Sequence, residues 1–167
     1  MTTEWKSRRR VVIGKQSHKF SSAHMTVFAD GTKERLHGHD YSVQVELQLK
    51  DDDAFVEFRQ VKTILVAPCS EWDERLLPPA RSMFLKIQKQ SPELEFTLCG
   101  ARYVLPADEC VMLPVDNVTV ESLAAELAAR FTLAWRKDAT LPDLSSLEVV
   151  ITETPGQSAG VRLEQER

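Results

Sequence analysis

His37-Gly38-His39-Asp40-Tyr41-Ser42-Val43-Gln44-Val45-Glu46-Leu47-Gln48-Leu49 carries the clearest period in the chain. The odd positions read His, His, Tyr, Val, Val, Leu, Leu, and the even ones Gly, Asp, Ser, Gln, Glu, Gln. Strict alternation of this length predicts a β-strand with one covered face. Side chains two apart on a strand share a face, so His37 and His39 stand together on the covered side, where it begins. Asp51-Asp52-Asp53 closes the strand as a solvated turn.

Working outward, Val11 to Ala23 is rich enough in apolar and β-branched residues for a strand, with a bulge around Gly14. A loop follows from about Met25 to Arg35, with the turn signal Asp30-Gly31. Beyond the histidine strand, Phe58, Val61, Leu65, Trp72 and Leu76 recur at helical spacing between Glu57 and about Leu77. Pro68 is expected to kink or split this helix, and Pro78-Pro79 to end it. Short strands are predicted at Phe84–Ile87, Leu94–Leu98, Arg102–Leu105 and Val111–Leu113, with a hairpin turn at Cys99-Gly100. Thr119 is a candidate N-cap for a second helix that buries Leu123, Leu127, Phe131 and Ala134 or Trp135. Leu147–Thr152 and Gly160–Leu163 make a terminal strand pair around Pro155-Gly156. This order predicts an α+β domain, helices layered on one face of an antiparallel sheet.

The 167 residues are expected to form a single domain, 1–167, large enough to bury its own core. Hydrophobic content of 43% with 28% charged residues argues against disorder. No apolar run reaches membrane-spanning length, and Met1–Arg10 leads into none, so it does not read as a secretory signal. Three irregularly spaced cysteines, Cys69, Cys99 and Cys110, read as reduced thiols in a cytoplasm. With a net charge of −4 and only Arg8-Arg9-Arg10 clustered, the chain lacks the positive stripe a nucleic-acid groove needs. That cluster reads as a solvated entry to the first strand.

Three of the four histidines, His24, His37 and His39, fall within sixteen residues. An antiparallel pairing of the first two strands would bring His24 alongside the other two. Three neutral imidazoles leave a tetrahedral zinc ion one open position, the arrangement of a catalytic site. Gly38 removes a side chain from the opposite face and permits a close approach. His18 shares the even register of His24 and is expected to be structural or exposed. Glu34, three residues before His37, is near enough to serve as a base, although on position alone it reads as a solvated loop residue between Lys33 and Arg35.

Phe20-Ser-Ser-Ala-His24, Leu36-His37-Gly38-His39-Asp40-Tyr41, Val56-Glu57-Phe58, Asn117-Val118-Thr119-Val120-Glu121 and Val149-Val150-Ile151-Thr152-Glu153-Thr154, in this order, resemble the 6-pyruvoyl-tetrahydropterin synthase family. The resemblance spans nearly the whole chain. It implies the T-fold, with sheets joining into an oligomeric barrel, a homohexamer of two stacked trimers with sites at subunit interfaces, and Zn2+ on His24, His37 and His39. It further implies a dihydropterin substrate, with Glu153 accepting hydrogen bonds from the pterin ring and Thr119 adding a contact. The family's catalytic cysteine before His-Gly-His is missing. Lys33-Glu34-Arg35-Leu36-His37 instead resembles a subgroup, known from malaria parasites and some bacteria, in which a glutamate takes that place. The family pairs an aspartate with a following histidine after the first helix. Here Asp73 is kept and Glu74 replaces the histidine, which changes the implied proton relay.

The resemblance to the glutamate subgroup implies a lyase acting on 7,8-dihydroneopterin triphosphate to give 6-hydroxymethyl-7,8-dihydropterin for folate synthesis. Elimination to 6-pyruvoyl-tetrahydropterin and formation of 6-carboxy-tetrahydropterin are the other enzymatic outcomes. A non-catalytic pterin- or metal-binding homologue, or a structural oligomer with incidental histidines, are readings of other classes.

Overall fold

The computed structural model describes residues 9–165, with backbone alone for residues 15–17. Residues 1–8, which include Arg8 and most of the segment that does not read as a secretory signal, fall outside these residues. Arg10 pairs with Glu46 at 3.0 Å on an exposed edge, in keeping with a solvated entry to the sheet.

Strand β1 (Val11–His24) pairs antiparallel with β2 (His37–Leu49), whose bounds are those its alternation predicts. The register shifts between Gly14 and Lys19. Before the shift Ile13 points into the core, and after it Phe20, Ser22 and His24 do. The bulge therefore exchanges odd for even as the inward set. Strands β7 (Leu144–Thr154) and β8 (Gln157–Glu164) continue the sheet from the free edge of β2. A two-residue strand β3 (Arg75–Leu76) adds to β1 in parallel, completing the order β3-β1-β2-β7-β8.

Helices α1 (Phe58–Trp72) and α2 (Val120–Lys137) cover one face of this sheet. Their buried positions, Val61, Leu65, Cys69 and Trp72 on α1 and Leu123, Leu127, Phe131 and Trp135 on α2, meet Tyr41, Val43, Val45, Leu47, Val149 and Ile151 from the strands. Thr119 caps α2 as expected. Its side chain accepts from the Ser122 amide, and the Ser122 side chain closes the reciprocal bond.

The first helix stops earlier than its apolar spacing predicts. Pro68 lies inside α1 without splitting it, and the helix ends at Trp72 rather than near Leu77. The Asp73 carboxylate accepts from the Ser21 amide at 2.7 Å, and Glu74, at a left-handed φ of 56°, donates its N–H to the Ser21 carbonyl at 2.7 Å. Backbone bonds to β1 thus replace the last helical turn, and Leu76 becomes a strand residue. Between Met83 and Met112 the chain forms a separate three-stranded sheet, β4 (Leu85–Lys89), β5 (Glu93–Leu98) and β6 (Ala101–Pro106), over a smaller core of Met25, Leu76, Leu94, Phe96 and Leu98. Cys99 (φ 48°) and Gly100 (φ 80°) form the expected hairpin turn, both left-handed as a two-residue hairpin requires. Val111–Leu113 is not a strand. Its neighbourhood makes only the isolated bridges Leu76–Cys110 and Pro79–Leu113, because it runs beside the proline-containing segment after β3, which cannot donate a full ladder.

The two faces of α2 differ sharply in what a truncation would remove. Leu127 is fully buried and Leu133 is 58% exposed. Leu127→Ala is expected to destabilise the fold by about 2–5 kcal/mol and Leu133→Ala by no more than about 0.5 kcal/mol, measured by urea denaturation.

Candidate metal centre and active site

The register that pairs β1 with β2 sets His24 directly across from His37, and Ser22 across from His39. The three imidazoles then converge at the end of the helix-covered face, with donor nitrogens within 4.8 Å of one another. Gly38 makes this possible. A Cβ at position 38 would stand 3.0 Å from the Ser22 carbonyl oxygen, a backbone atom that cannot swing aside.

Backbone carbonyls hold two of the rings. His24 Nδ1 lies 2.9 Å from the Val118 carbonyl oxygen, and His37 Nδ1 lies 2.8 Å from that of Arg35. A carbonyl only accepts, so each Nδ1 carries the proton and each Nε2 of the neutral ring keeps a lone pair. Burial holds the His24 pKa below its ordinary value, opposed by the Val118 hydrogen bond and reinforced by His37. The ring is therefore neutral, as a metal ligand must be. His24 Nε2 is buried without a hydrogen-bond partner, and an orphaned lone pair aimed at two other imidazoles fits a bound cation. His18 is buried on β1 and does not belong to this group.

Two carboxylates border the histidines. Glu34 Oε2 lies 3.8 Å from His37 Nε2. The Glu34 pKa is lowered, first by a hydrogen bond from the Thr26 side chain, so the group is ionised at neutral pH. The Glu34 backbone amide also bonds the Thr26 carbonyl at 2.9 Å, which ties together the two arms of the loop between β1 and β2. Glu153, on the last inward position of β7, places Oε1 3.4 Å from His39 Nε2 and 3.6 Å from His24 Nε2. The side chain of His24 is 4% exposed and that of His37 37%, so the group opens to solvent on the His37–Glu34 side. One buried and two partly exposed imidazoles, an ionised carboxylate at the mouth and a second one against the rings can hold a cation and accept protons from a polar ligand.

Other residues expected at the site lie apart from this group in the single chain. Asp73 and Glu74 occupy the turn between α1 and β3, and Glu74 lines a groove with Gly38, His39, Asp40, Arg75 and Glu109. Thr119 adjoins Val118, but its side chain is engaged in capping α2 and in a hydrogen bond to Glu121. No cysteine belongs to the histidine group. Cys69 is buried in α1, where desolvation pushes its thiol up to about 12.

Three participants escaped sequence reasoning. The Val118 carbonyl orients His24. Asn117 clamps the loop after β1, accepting from the Val27 amide at 2.8 Å and donating to the Val27 carbonyl at 2.9 Å. The Tyr41 hydroxyl donates to Glu153 Oε1 at 3.3 Å. Asn117 and Tyr41 both stand inside quoted motifs. Their signals were an asparagine two residues before an N-cap and a hydroxyl-bearing ring continuing the histidine face.

Residues 13–164 match the family model of 6-pyruvoyl tetrahydropterin synthase. The chain is 32% identical, over 151 residues, to a Methanocaldococcus jannaschii protein provisionally named a 6-carboxy-5,6,7,8-tetrahydropterin synthase, covering 86% of this chain and 89% of that one. The 6-pyruvoyl tetrahydropterin synthase of Plasmodium vivax shares the fold at a TM-score of 0.85 and 23% identity, over 96% of this chain and 100% of that one. Two variants of the P. vivax protein, in which a catalytic glutamate is replaced by alanine or cysteine, match at a TM-score of 0.80 with the same identity and coverage.

Gly38→Ala tests the close approach that assembles the group. The added methyl forces β1 and β2 apart, at about 1–3 kcal/mol, and pulls His24 from His37. Metal content per chain, measured by inductively coupled plasma spectrometry after incubation with zinc, is expected to fall well below that of the unsubstituted protein.

Proposed function

The chain belongs to the 6-pyruvoyl tetrahydropterin synthase family of pterin-pathway lyases, and from that membership we propose a zinc enzyme that cleaves the side chain of 7,8-dihydroneopterin triphosphate to 6-hydroxymethyl-7,8-dihydropterin. The observation that carries this reading is the Glu34 carboxylate, 3.8 Å from His37 Nε2 at the mouth of a histidine group that contains no cysteine. The catalytic glutamate of the structurally similar P. vivax protein supports it. Zinc on His24, His37 and His39 would supply a Lewis acid that polarises the hydroxyls of the pterin side chain.

In this reading Glu34 takes the proton from the hydroxyl on the second side-chain carbon. The bond between the first and second carbons then breaks, its electron pair passes into the dihydropterin ring system, and reprotonation of the first carbon leaves the hydroxymethyl group. The second carbon departs as an aldehyde bearing the triphosphate. Glu153 accepts hydrogen bonds from the ring N–H and amino group, a task that suits an acceptor-only carboxylate, and the Thr119 segment lines the same side. Asp73 and Glu74, outside the histidine cluster of their own chain, serve proton transfer in a neighbouring copy's site within the homohexamer that the family resemblance implies. Reduced cysteines support a cytoplasmic location.

The 32%-identical M. jannaschii relative favours a second reading, formation of 6-carboxy-tetrahydropterin from the same substrate. Incubating the zinc-loaded protein with 7,8-dihydroneopterin triphosphate and identifying the pterin by mass spectrometry separates the two. A 6-hydroxymethyl product is expected, and a 6-carboxy or 6-pyruvoyl product rejects the cleavage reading. Glu34→Gln is expected to lower kcat by about 10²–10⁴-fold, the usual contribution of a positioned base, with zinc content unchanged. Full retained activity would remove Glu34 from the base role.

A further inference from the structure

Tyr41 sits between the core and the histidine group. Its ring is fully buried and stacks on Phe20 with centroids 4.9 Å apart, and Phe20 meets Trp72 edge-on at 5.3 Å. The hydroxyl at the end of this rigid column donates to Glu153 Oε1. Continuing the β2–β7 register one step past Ser42–Thr152 sets Tyr41 across from Glu153, so the contact follows from strand pairing.

The same oxygen faces His39 Nε2 at 3.4 Å and His24 Nε2 at 3.6 Å. His24 cannot donate to it, because its single proton is on Nδ1, bound to the Val118 carbonyl. A cation on the imidazoles would draw the carboxylate toward itself and away from a ligand's N–H groups. We propose that Tyr41 is a positioning residue, whose hydroxyl holds Glu153 Oε1 against β2 and so keeps the carboxylate turned to accept hydrogen bonds from the pterin ring. This rests on Glu153 being the pterin anchor. The Tyr41 bond occupies one acceptor direction of Oε1 and leaves the other, with both on Oε2, for the ligand.

Tyr41→Phe keeps the stacked ring and removes only the hydroxyl. Binding of 7,8-dihydroneopterin to the zinc-loaded protein, followed by calorimetry, is expected to weaken about tenfold, the effect of one hydrogen bond to a charged group, with zinc per chain and melting temperature preserved. In a Glu153→Gln background the same change is expected to alter binding less than twofold, because Tyr41 acts through that carboxylate. Unchanged binding by Tyr41→Phe while Glu153→Gln loses it would overturn the positioning role and leave the anchor standing. An equal loss in both backgrounds would overturn it too, assigning the hydroxyl a direct or purely structural part. If Glu153→Gln binds like the unsubstituted protein, the anchor reading fails and the positioning role falls with it.

Discussion

His24 faces His37 across two antiparallel strands that approach closely because residue 38 has no side chain, and the Ser22 carbonyl fills the space one would need. Shifting this register by one residue would turn every inward side chain of β2 outward. The core row Tyr41, Val43, Val45 and Leu47 and the histidine row His37 and His39 are one row on one strand. The same apolar burial that holds α1 and α2 on the sheet therefore also holds the imidazoles in place. Hydrophobic burial is non-directional, but the strand that it anchors is not, and that converts bulk stabilisation into a defined ligand geometry.

Electrostatics at the site follow from the same placement. His24 is sunk where water cannot reach it, so burial keeps it neutral while a carbonyl fixes its tautomer. Its Nε2 is left with a lone pair and no proton donor, an expensive state inside a protein unless a cation answers it. Glu34, at the open edge, stays ionised through its bond from Thr26. Glu153 lies deeper, against the rings and the Tyr41 hydroxyl. Two carboxylates thus border one histidine group in different surroundings, one ionised at the open edge and one against the rings.

Much of this was legible in order. The alternation of β2, the bulge near Gly14, the Thr119 cap and the Cys99-Gly100 turn are local patterns enforced by local physics, and the structure carries them with close to the expected bounds. The failures were those of locality. Leu76 fits a helical period, yet Ser21 on a distant strand captures the backbone after Trp72. Val111–Leu113 has the composition of a strand, but its neighbour supplies prolines rather than a ladder. Asp73 and Glu74 follow the helix in sequence, but the turn leaves both outside the histidine cluster, with Glu74 in a groove that also borders His39.

The sequence by itself determined the candidate ligand set, the shared face of His37 and His39 on β2, the α+β order of elements and the family. Each rests on periodicity, residue chemistry or an ordered set of motifs, which are properties of the unfolded chain. Tertiary structure alone decided that the bulge brings His24 onto the same face as His37 and His39, that the Val118 carbonyl aims the His24 ring, and that Glu153 meets Tyr41 and the histidines. Those are contacts between residues as many as 129 positions apart. No local pattern encodes them, because strand pairing and burial choose them only once the whole sheet has closed.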